Sequence, residues 1–239
     1  MKQLNTYITE YIIKKKLNTP IDSEDHYNYC PKTKSELIEI IKNLLNDNQT
    51  DLNIIDVSKI TDMSELFDKI NQNIKISNID ISRWDVSKVK NMQYMFFDCH
   101  EFNCNLSDWD VSNVENMKGM FINCVNLNSD FFNWNMHNVT NMSHMFYGCK
   151  KFEGKGLENW DVSNVENMSC MFQNCENFEG KGLENWNVSN VKYMDKMFSY
   201  CVNFTGKGLE NWNIRNVTRM NDIFEKCTSL KNKPSWYKE

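Results

Sequence analysis

Tryptophan recurs along this chain at a nearly constant interval, and this regularity constrains the fold more than any other feature of the sequence. Consecutive tryptophans are about 25 residues apart, and they stand at Trp84, Trp109, Trp134, Trp160, Trp186, Trp212 and Trp236. A period in the twenties, sustained over several units, is typical of repeat proteins in which each unit contacts only its neighbours. Such folds present broad surfaces rather than deep clefts, so the pattern favours binding over catalysis.

Each unit follows one pattern, W-[DN]-[VMI]-x-[NK]-V-x-x-M-x-x-[MI]-F-x-x-C-x-x-[FL]. The apolar positions from the valine to the cysteine have the spacing of one face of a short helix, with Asn113 and Asn116 as N-cap candidates. After the cysteine, Phe102, Cys104 and Leu106 alternate with polar residues, which indicates a short strand. Each unit is therefore predicted to contain one short helix and one short strand.

Stacking of such units predicts an α/β repeat solenoid, a leucine-rich-repeat-like stack of short parallel strands and short helices. Tryptophan, Met/Phe and cysteine columns are expected to run through its core. About seven units cover residues 51–236, and the first is a degenerate unit that begins at Ile55. Residues 1–50 contain two amphipathic stretches, around Leu4–Ile12 and Leu37–Leu45, and are expected to form a helical N-terminal cap. Residues 237–239 are left as a C-terminal tail.

Composition narrows the possible partners. The net charge is −5 and the pI about 5.5, which argues against direct nucleic-acid binding, since that requires clustered Lys and Arg. The sequence has no apolar run of the roughly 18 residues expected of a transmembrane helix, so membrane insertion is not expected. The first residues lack the layout of a signal peptide, which predicts a cytoplasmic protein. The oligomeric state stays open.

The cysteines and histidines do not form a recognisable catalytic or metal-binding motif. Six of the nine cysteines share one repeat position on the apolar face, so we expect a column of buried thiols and no disulfide framework. His144 and Cys170 share another position on adjacent units and are the nearest approach to a metal pair. The thrice-repeated GKGL lacks the Walker spacing and is interpreted as a tight turn. We expect no cofactor, no metal and no enzymatic activity.

The phrase WDVSNVENM, followed by Met-Phe, a cysteine and then Phe or Leu, resembles the BspA-like leucine-rich repeats, including those of the mycoplasma lipoprotein type. The resemblance covers residues 51–236. It implies a leucine-rich-repeat-like fold and, for many members, a cell-surface role in adhesion or protein binding. This sequence departs from such members because it shows no signal peptide, lipid-attachment cysteine or anchor, which favours an intracellular role.

Two surfaces are candidates for partner binding. The first, the aromatic patch, consists of helix positions predicted to point away from the core. Either the N-terminal cap packs over this patch, or the patch is exposed and marks an interface. The second, the acidic ladder, stands two residues before successive tryptophans, with two phenylalanines as anchors beside it. Lys155, Lys181 and Lys207 either neutralise this ladder or leave it as an acidic track for a basic partner. The residues are Tyr94, Phe97, Ile122 and Tyr147 for the patch, and Glu158, Glu184 and Glu210 with Phe131 and Phe132 for the ladder.

The sequence therefore predicts a non-enzymatic, intracellular solenoid that binds another protein. By analogy, a mobile-element-encoded inhibitor of a bacterial defence or host protein, for example with an anti-CRISPR-like role, would suit a small array of this kind. The alternative is a cell-surface adhesin or virulence-type BspA-like protein. A third class, a metal- or thiol-dependent enzyme, would require His144 and Cys170 to converge.

Overall fold

The repeat units stack as rungs of a column, where a rung is one repeat counted from six residues before its tryptophan position. The computed structural model describes residues 27–71, 76 and 78–238. This part of the chain contains two α-helices, α1 (Lys34–Asn46) and α2 (Asp68–Asn71), and two 3₁₀ turns, Leu157–Asn159 and Leu209–Asn211. Adjacent rungs pair in parallel only through isolated single-residue bridges, which link Asp62, Asn91, Asn116, Asn141, Asn167, Tyr193 and Arg219 in order.

The predicted α/β leucine-rich-repeat-like solenoid is wrong, because the described rungs contain no sheet and, apart from the single turn α2 in the first unit, no α-helix at the expected position. Residues 92–99 have helical spacing, but Tyr94 and Asp98 adopt φ values of 54° and 56°. A left-handed residue at every fourth position interrupts a right-handed helix. The segment instead forms consecutive turns, in which Met95 N–H donates to Met92 O at 3.2 Å and Phe97 N–H donates to Tyr94 O at 3.2 Å.

The predicted strand after each cysteine is also replaced by turns. Phe102 N–H donates back to Cys99 O at 3.0 Å, and Trp109 N–H donates to Leu106 O at 3.2 Å. Alternation is still seen in burial, since Phe102 and Leu106 are buried and Asn103 and Asn105 are exposed. An alternation of apolar and polar residues therefore indicates which side chains enter the core. In this protein, turns rather than a sheet produce that alternation.

Short polar side chains close the corners of each rung. Asp110 Oδ1 accepts from Ser112 N–H at 3.0 Å, and Asn116 Oδ1 accepts from Lys118 N–H at 3.0 Å. These are Asx turns, in which a side chain bonds its own backbone two residues on. Asn116 was expected to cap a helix, and it uses the same acceptor oxygen for a turn. The Trp-Asp-Val-Ser and Asn-Met phrases of the repeat are therefore turn signals.

Three columns of side chains fill the core, as the sequence predicted. Phenylalanine rings stack with nearly parallel planes, for example Phe146 on Phe172 at 5.7 Å and 6°. The indoles of Trp160 and Trp186 stack at 6.1 Å and 6°. Each indole N–H also donates to a backbone carbonyl one rung back, as Trp160 does to Phe131 O at 3.1 Å. The buried cysteines have a similar role, since each Sγ from Cys124 onward bonds the phenylalanine carbonyl of the preceding rung at 2.8–3.1 Å.

The turn segment that follows each bridge is polar along the column axis. Every second N–H points toward the next rung and every second carbonyl oxygen points toward the previous one. Four such bonds of 2.9 Å join one pair of rungs, from the N–H groups of Met92, Tyr94, Phe96 and Asp98 to the carbonyls of Asn116, Lys118, Met120 and Ile122. The same direction is kept from the rung of Met63 to that of Arg219.

Helix α1 covers the N-terminal end of the column. Thr33 caps it, with its hydroxyl oxygen accepting from Glu36 N–H at 3.2 Å, and Leu37 and Ile41 are fully buried against the first rung. The predicted amphipathic stretch around Leu4–Ile12 lies outside the described residues. Within the described part of the chain, no helix is long and apolar enough to cross a membrane.

Candidate functional site

The acidic ladder is a line of exposed glutamates, one on each of three successive rungs. Glu158, Glu184 and Glu210 are exposed, and each stands two residues before a buried tryptophan. The 3₁₀ turns Leu157–Asn159 and Leu209–Asn211 carry the first and the last of them. Because the tryptophans stack at 6.1–6.5 Å, the glutamates are held in register by the core beneath them.

The GKGL segments bring each rung close to the ladder residue of the rung before it. Gly156 and Gly182 both have φ near 85°, a conformation that glycine adopts without strain. A Cβ added at Gly156 would lie 2.2 Å from Phe132 N, and one at Gly182 would lie 3.0 Å from Glu158 N. The prediction of a tight turn is confirmed, and the missing Cβ is what allows this close approach.

The lysines of GKGL do not neutralise the ladder. Lys155 Nζ pairs with Glu153 Oε2 at 3.1 Å, and Lys181 Nζ pairs with Glu179 Oε2 at 2.8 Å. The hydrogen bond from Lys155 lowers the pKa of the Glu153 carboxyl. Within the described residues the three ladder carboxylates have no ion-pair or hydrogen-bond partner, and Glu158 and Glu184 border a shallow groove lined by the same lysines.

The two phenylalanines predicted as anchors beside the ladder have opposite positions. Phe131 is fully buried, with its ring 4.7 Å from the indole of Trp134, so it belongs to the core and cannot reach a partner. Phe132 is 54% exposed. It occupies the ladder position one rung before Glu158, so an exposed aromatic ring continues the line of glutamates.

The aromatic patch is more deeply packed than the sequence suggested. Tyr94 and Phe97 are half-buried and meet edge to face at 6.0 Å. Ile122 is only 9% exposed, and its side chain and the Tyr94 ring both lie against Gly119. Tyr147 is half-buried on the next rung. The accessible apolar area of this patch is therefore small.

His144 lies beside the aromatic patch and is partly buried. Its ring lies 6.1 Å from that of Tyr147, and its Nδ1 is buried without a hydrogen-bond partner in the described residues. Burial, aided by the charge of Lys118, lowers the pKa of His144, so the imidazole is neutral at pH 7. Helix α1 bonds to the first rung through Lys34, but residues 1–26 lie outside the described residues, so the expectation that the cap covers the patch stays a prediction.

A polar groove on a further face was not predicted. Asn138, Asn164 and Asn190 line it, and each donates its side-chain N–H to a backbone carbonyl of the previous rung at 2.6–2.7 Å. The sequence signal was the asparagine four residues after tryptophan. Since these amides are used in holding rungs together, the groove is structural.

The chain matches a protein-family model described as Mycoplasma protein of unknown function, DUF285, over residues 35–156 and 142–238. The chain belongs to this family. No curated protein and no solved structure matches it. The match supports the mycoplasma part of the predicted resemblance. It does not support the finer assignment, since no BspA-like or leucine-rich-repeat model is matched.

Burial favours the protonated form of the column thiols of this DUF285 chain. Burial raises the pKa of Cys99 and Cys227 to about 12, and it raises the pKa of the four column cysteines between them well above the usual thiol value. Cys170, near His144, is half-buried and its pKa is also raised by burial. Across the described residues, no group of three or more His, Cys, Asp or Glu side chains is arranged to hold a metal ion.

Proposed function

We propose that this chain is a non-enzymatic protein-binding module, and that its acidic ladder and Phe132 dock a basic surface of a partner protein. The observation that carries the proposal is the set of three exposed carboxylates held in register without partners in the described residues. Such a set repels itself, and a partner that brings Lys or Arg removes the repulsion.

The exposed ring of Phe132 supports the same surface. Large rings at 54% exposure are uncommon in this structure, and this one lies at the end of the glutamate line. Aromatic anchors bordered by charge are typical of binding hot spots, because burying the ring supplies energy while the charges supply orientation. The aromatic patch, with its half-buried rings, is the weaker candidate.

A thiol- or metal-dependent enzyme is a poor alternative, because the thiolate is the reactive form and burial disfavours it at the column cysteines. The adhesin alternative draws its support from the likeness of the repeat to BspA-like sequences. We propose the intracellular setting, and within it a role as an inhibitor of a bacterial defence or host protein. Fractionation of the native host distinguishes the two, since an adhesin is recovered at the cell surface.

The test begins with the chain as bait in a host lysate, with partners identified by mass spectrometry. A parallel bait carries Glu158→Gln, Glu184→Gln and Glu210→Gln. A matched control carries Lys155→Gln, Lys181→Gln and Lys207→Gln, which alters the same groove with the opposite change of charge. A partner that binds the ladder should be captured by the parent chain and by the Lys→Gln control, and it should be lost from the Glu→Gln bait.

Affinity for the recovered partner is then measured at low and high salt. Binding through the ladder weakens as salt rises, because exposed charges are screened. The triple glutamine variant and Phe132→Ala should each lower affinity by about tenfold, which corresponds to about 1.4 kcal/mol. If both variants bind like the parent while Phe97→Ala with Tyr147→Ala weakens binding, the aromatic patch is the interface and the ladder proposal is wrong.

A further inference from the structure

The last rung ends in a row of backbone donors without acceptors. In each rung from that of Met92 to that of Met194, the four corresponding N–H groups bond to carbonyls of the next rung, as Met194 N–H does to Arg219 O at 2.8 Å. In the last rung no acceptor is found within the described residues for the N–H groups of Met220, Asp222, Phe224 and Lys226. Asp222 and Lys226 have φ values of 55° and 58°, so the segment keeps the conformation of the other rungs. Alternate N–H groups that point the same way present a row of unpaired donors, to which a chain with carbonyl acceptors can pair.

The N-terminal end of the column has the complementary edge, a row of backbone carbonyls. There the free groups are carbonyls, and Lys34 Nζ donates to Ser64 O at 3.1 Å and to Asp62 Oδ2 at 2.7 Å. A cation from the cap therefore satisfies one carbonyl of the acceptor edge. The described residues provide no matching anion or acceptor at the donor edge.

The charge around the donor edge has the sign that an acceptor would require. Residues 214–238 contain six basic and two acidic residues, although the whole chain has a net charge of −5. Both acidic side chains are engaged with the previous rung, since Asp222 lies 3.9 Å from Lys196 and Glu225 accepts from Ser199 at 3.1 Å. Arg215 and Lys226 are exposed and have no ion-pair partner among the described residues.

Apolar side chains beside the donors are also incompletely covered. Ile214, Val217 and Met220 are half-buried, whereas their counterparts one rung earlier are at most 1% exposed. The counterparts are Val188, Val191 and Met194. The edge therefore combines a row of donors, uncovered apolar side chains and positive charge.

We propose that this C-terminal edge binds an extended acidic segment of a partner protein, which adds to the column as a further rung. Carbonyls of the segment would accept from the four N–H groups, in the manner of strand addition to a sheet edge. Alternate side chains of the segment would contact Met220 and Val217, and its carboxylates would pair with Arg215 and Lys226. A second copy is a poor occupant, because two donor edges with like charge repel and α1, with its Lys34 bonded to Ser64 O, lies at the acceptor edge.

This surface is distinct from the acidic ladder and prefers the opposite charge. The proposal does not rest on the proposed function. A basic partner should respond to the ladder variants only, and an acidic segment should respond to the edge variants only, so the two proposals fail independently.

The experiment uses fluorescein-labelled peptides and the full chain. The probe is an alternating glutamate–valine decapeptide, and the control is the matching lysine–valine decapeptide, with binding followed by fluorescence anisotropy. We expect saturable binding of the acidic peptide that weakens as salt rises, and no binding of the basic one. Equal binding of both peptides, or none of the acidic peptide, overturns the proposal.

Variants separate the contributions of charge and of the donors. Arg215→Gln with Lys226→Gln should weaken binding of the acidic peptide at least tenfold, whereas Lys59→Gln with Lys88→Gln, on other rungs, should not. Met220→Pro removes one donor, while Met220→Ala shortens the same side chain and keeps the N–H. Weaker binding by the proline variant than by the alanine variant is expected, and equal binding contradicts the donor role.

A measurement on the unmodified chain covers the case in which the proline variant fails to fold. Amide hydrogen exchange at Met220, Asp222, Phe224 and Lys226 should slow when the acidic peptide is added, because the N–H groups become hydrogen-bonded. Unchanged exchange at all four positions, with the peptide bound, would place it elsewhere and reject the edge as its site.

Discussion

The indole N–H of Trp160 donates to the carbonyl oxygen of Phe131, one rung back in the column, at 3.1 Å. The same bond recurs for each tryptophan of the repeat, from Trp84 to Leu52 O through Trp236 to Leu209 O. A buried carbonyl without a donor is costly, so the bond explains why the repeat uses tryptophan at a position where phenylalanine would supply similar packing.

Replacing Trp160 tests this role. Trp160→Ala should lower the free energy of unfolding by about 3–5 kcal/mol, because a buried aromatic is removed from a core that collapses incompletely. Trp160→Phe should cost about 1–3 kcal/mol through the unsatisfied carbonyl alone. Urea denaturation followed by circular dichroism measures both. Trp236→Ala should cost less than Trp160→Ala, since Trp236 is half-buried and stacks on one neighbour, at 6.5 Å; equal losses would contradict the stacked arrangement.

The second glycine of each GKGL segment should resist substitution to different degrees. Gly182→Ala should cost about 1–3 kcal/mol, because a residue with a Cβ is strained at φ 86°. Gly156→Ala should cost more, since its Cβ would also lie 2.2 Å from Phe132 N. Thermal denaturation ranks the variants, with the exposed Lys181→Ala in the same turn as the control, expected within about 0.5 kcal/mol of the parent. A Gly156 variant as stable as the control would show that the rungs are further apart than described.

Thiol reactivity should divide the cysteines by position. In the folded protein at pH 8, Cys30 should react first with an alkylating agent, because it is exposed. The six column cysteines should stay unmodified, since they are buried and burial raises the pKa of each thiol. Mass spectrometry with and without urea counts the modified thiols. Modification of Cys149 as fast as that of Cys30 would be incompatible with a packed column.

The Lys34 contact should make the cap sensitive to acid. Burial acts to raise the pKa of Asp62, but the hydrogen bonds from Lys34 and Ser64 outweigh it, and the pKa is lowered. A lowered folded-state pKa gives stability that is fully present above the unfolded value of about 4 and is lost as pH falls through the folded value. Lys34→Met should therefore destabilise the protein at pH 7, and the difference should shrink below about pH 4.

Its control is Lys42→Met, on the same helix, where the partner Glu39 is 4.0 Å away on the surface. This variant should have little effect at either pH. A Lys34 effect that does not change between pH 7 and pH 3, measured as the shift in Tm, would mean that packing rather than the ion pair holds the cap.

The sequence predicted which residues enter the core but not the backbone that carries them there. The period of the tryptophans, phenylalanines and cysteines correctly located the three columns, because burial depends on position within the repeat. The helix prediction failed at Tyr94 and Asp98, since nothing in apolar spacing reports the sign of φ. The clue was the turn chemistry of Asp110 and Asn116, whose side-chain oxygens accept from the backbone two residues on.

The candidate surfaces were predictable in part. Glu158, Glu184 and Glu210 are exposed as expected, because a repeated charged residue has no place in the core. The sequence did not distinguish Phe131 from Phe132. One of two adjacent side chains enters the core and the other faces solvent. Which is which depends on the backbone, and the prediction assumed a strand where the structure has turns. The donor edge depends on backbone direction alone, and no side-chain pattern indicates it.

Each rung is bonded to its two neighbours, and this has a mechanical consequence. A force that pulls the two ends of the column apart would meet a series of similar barriers rather than one large barrier, so extension would proceed in steps of about one repeat. The end protected by α1 and Lys34 would yield after the end at Arg219, because no described residue beyond that rung forms a further parallel bridge with it.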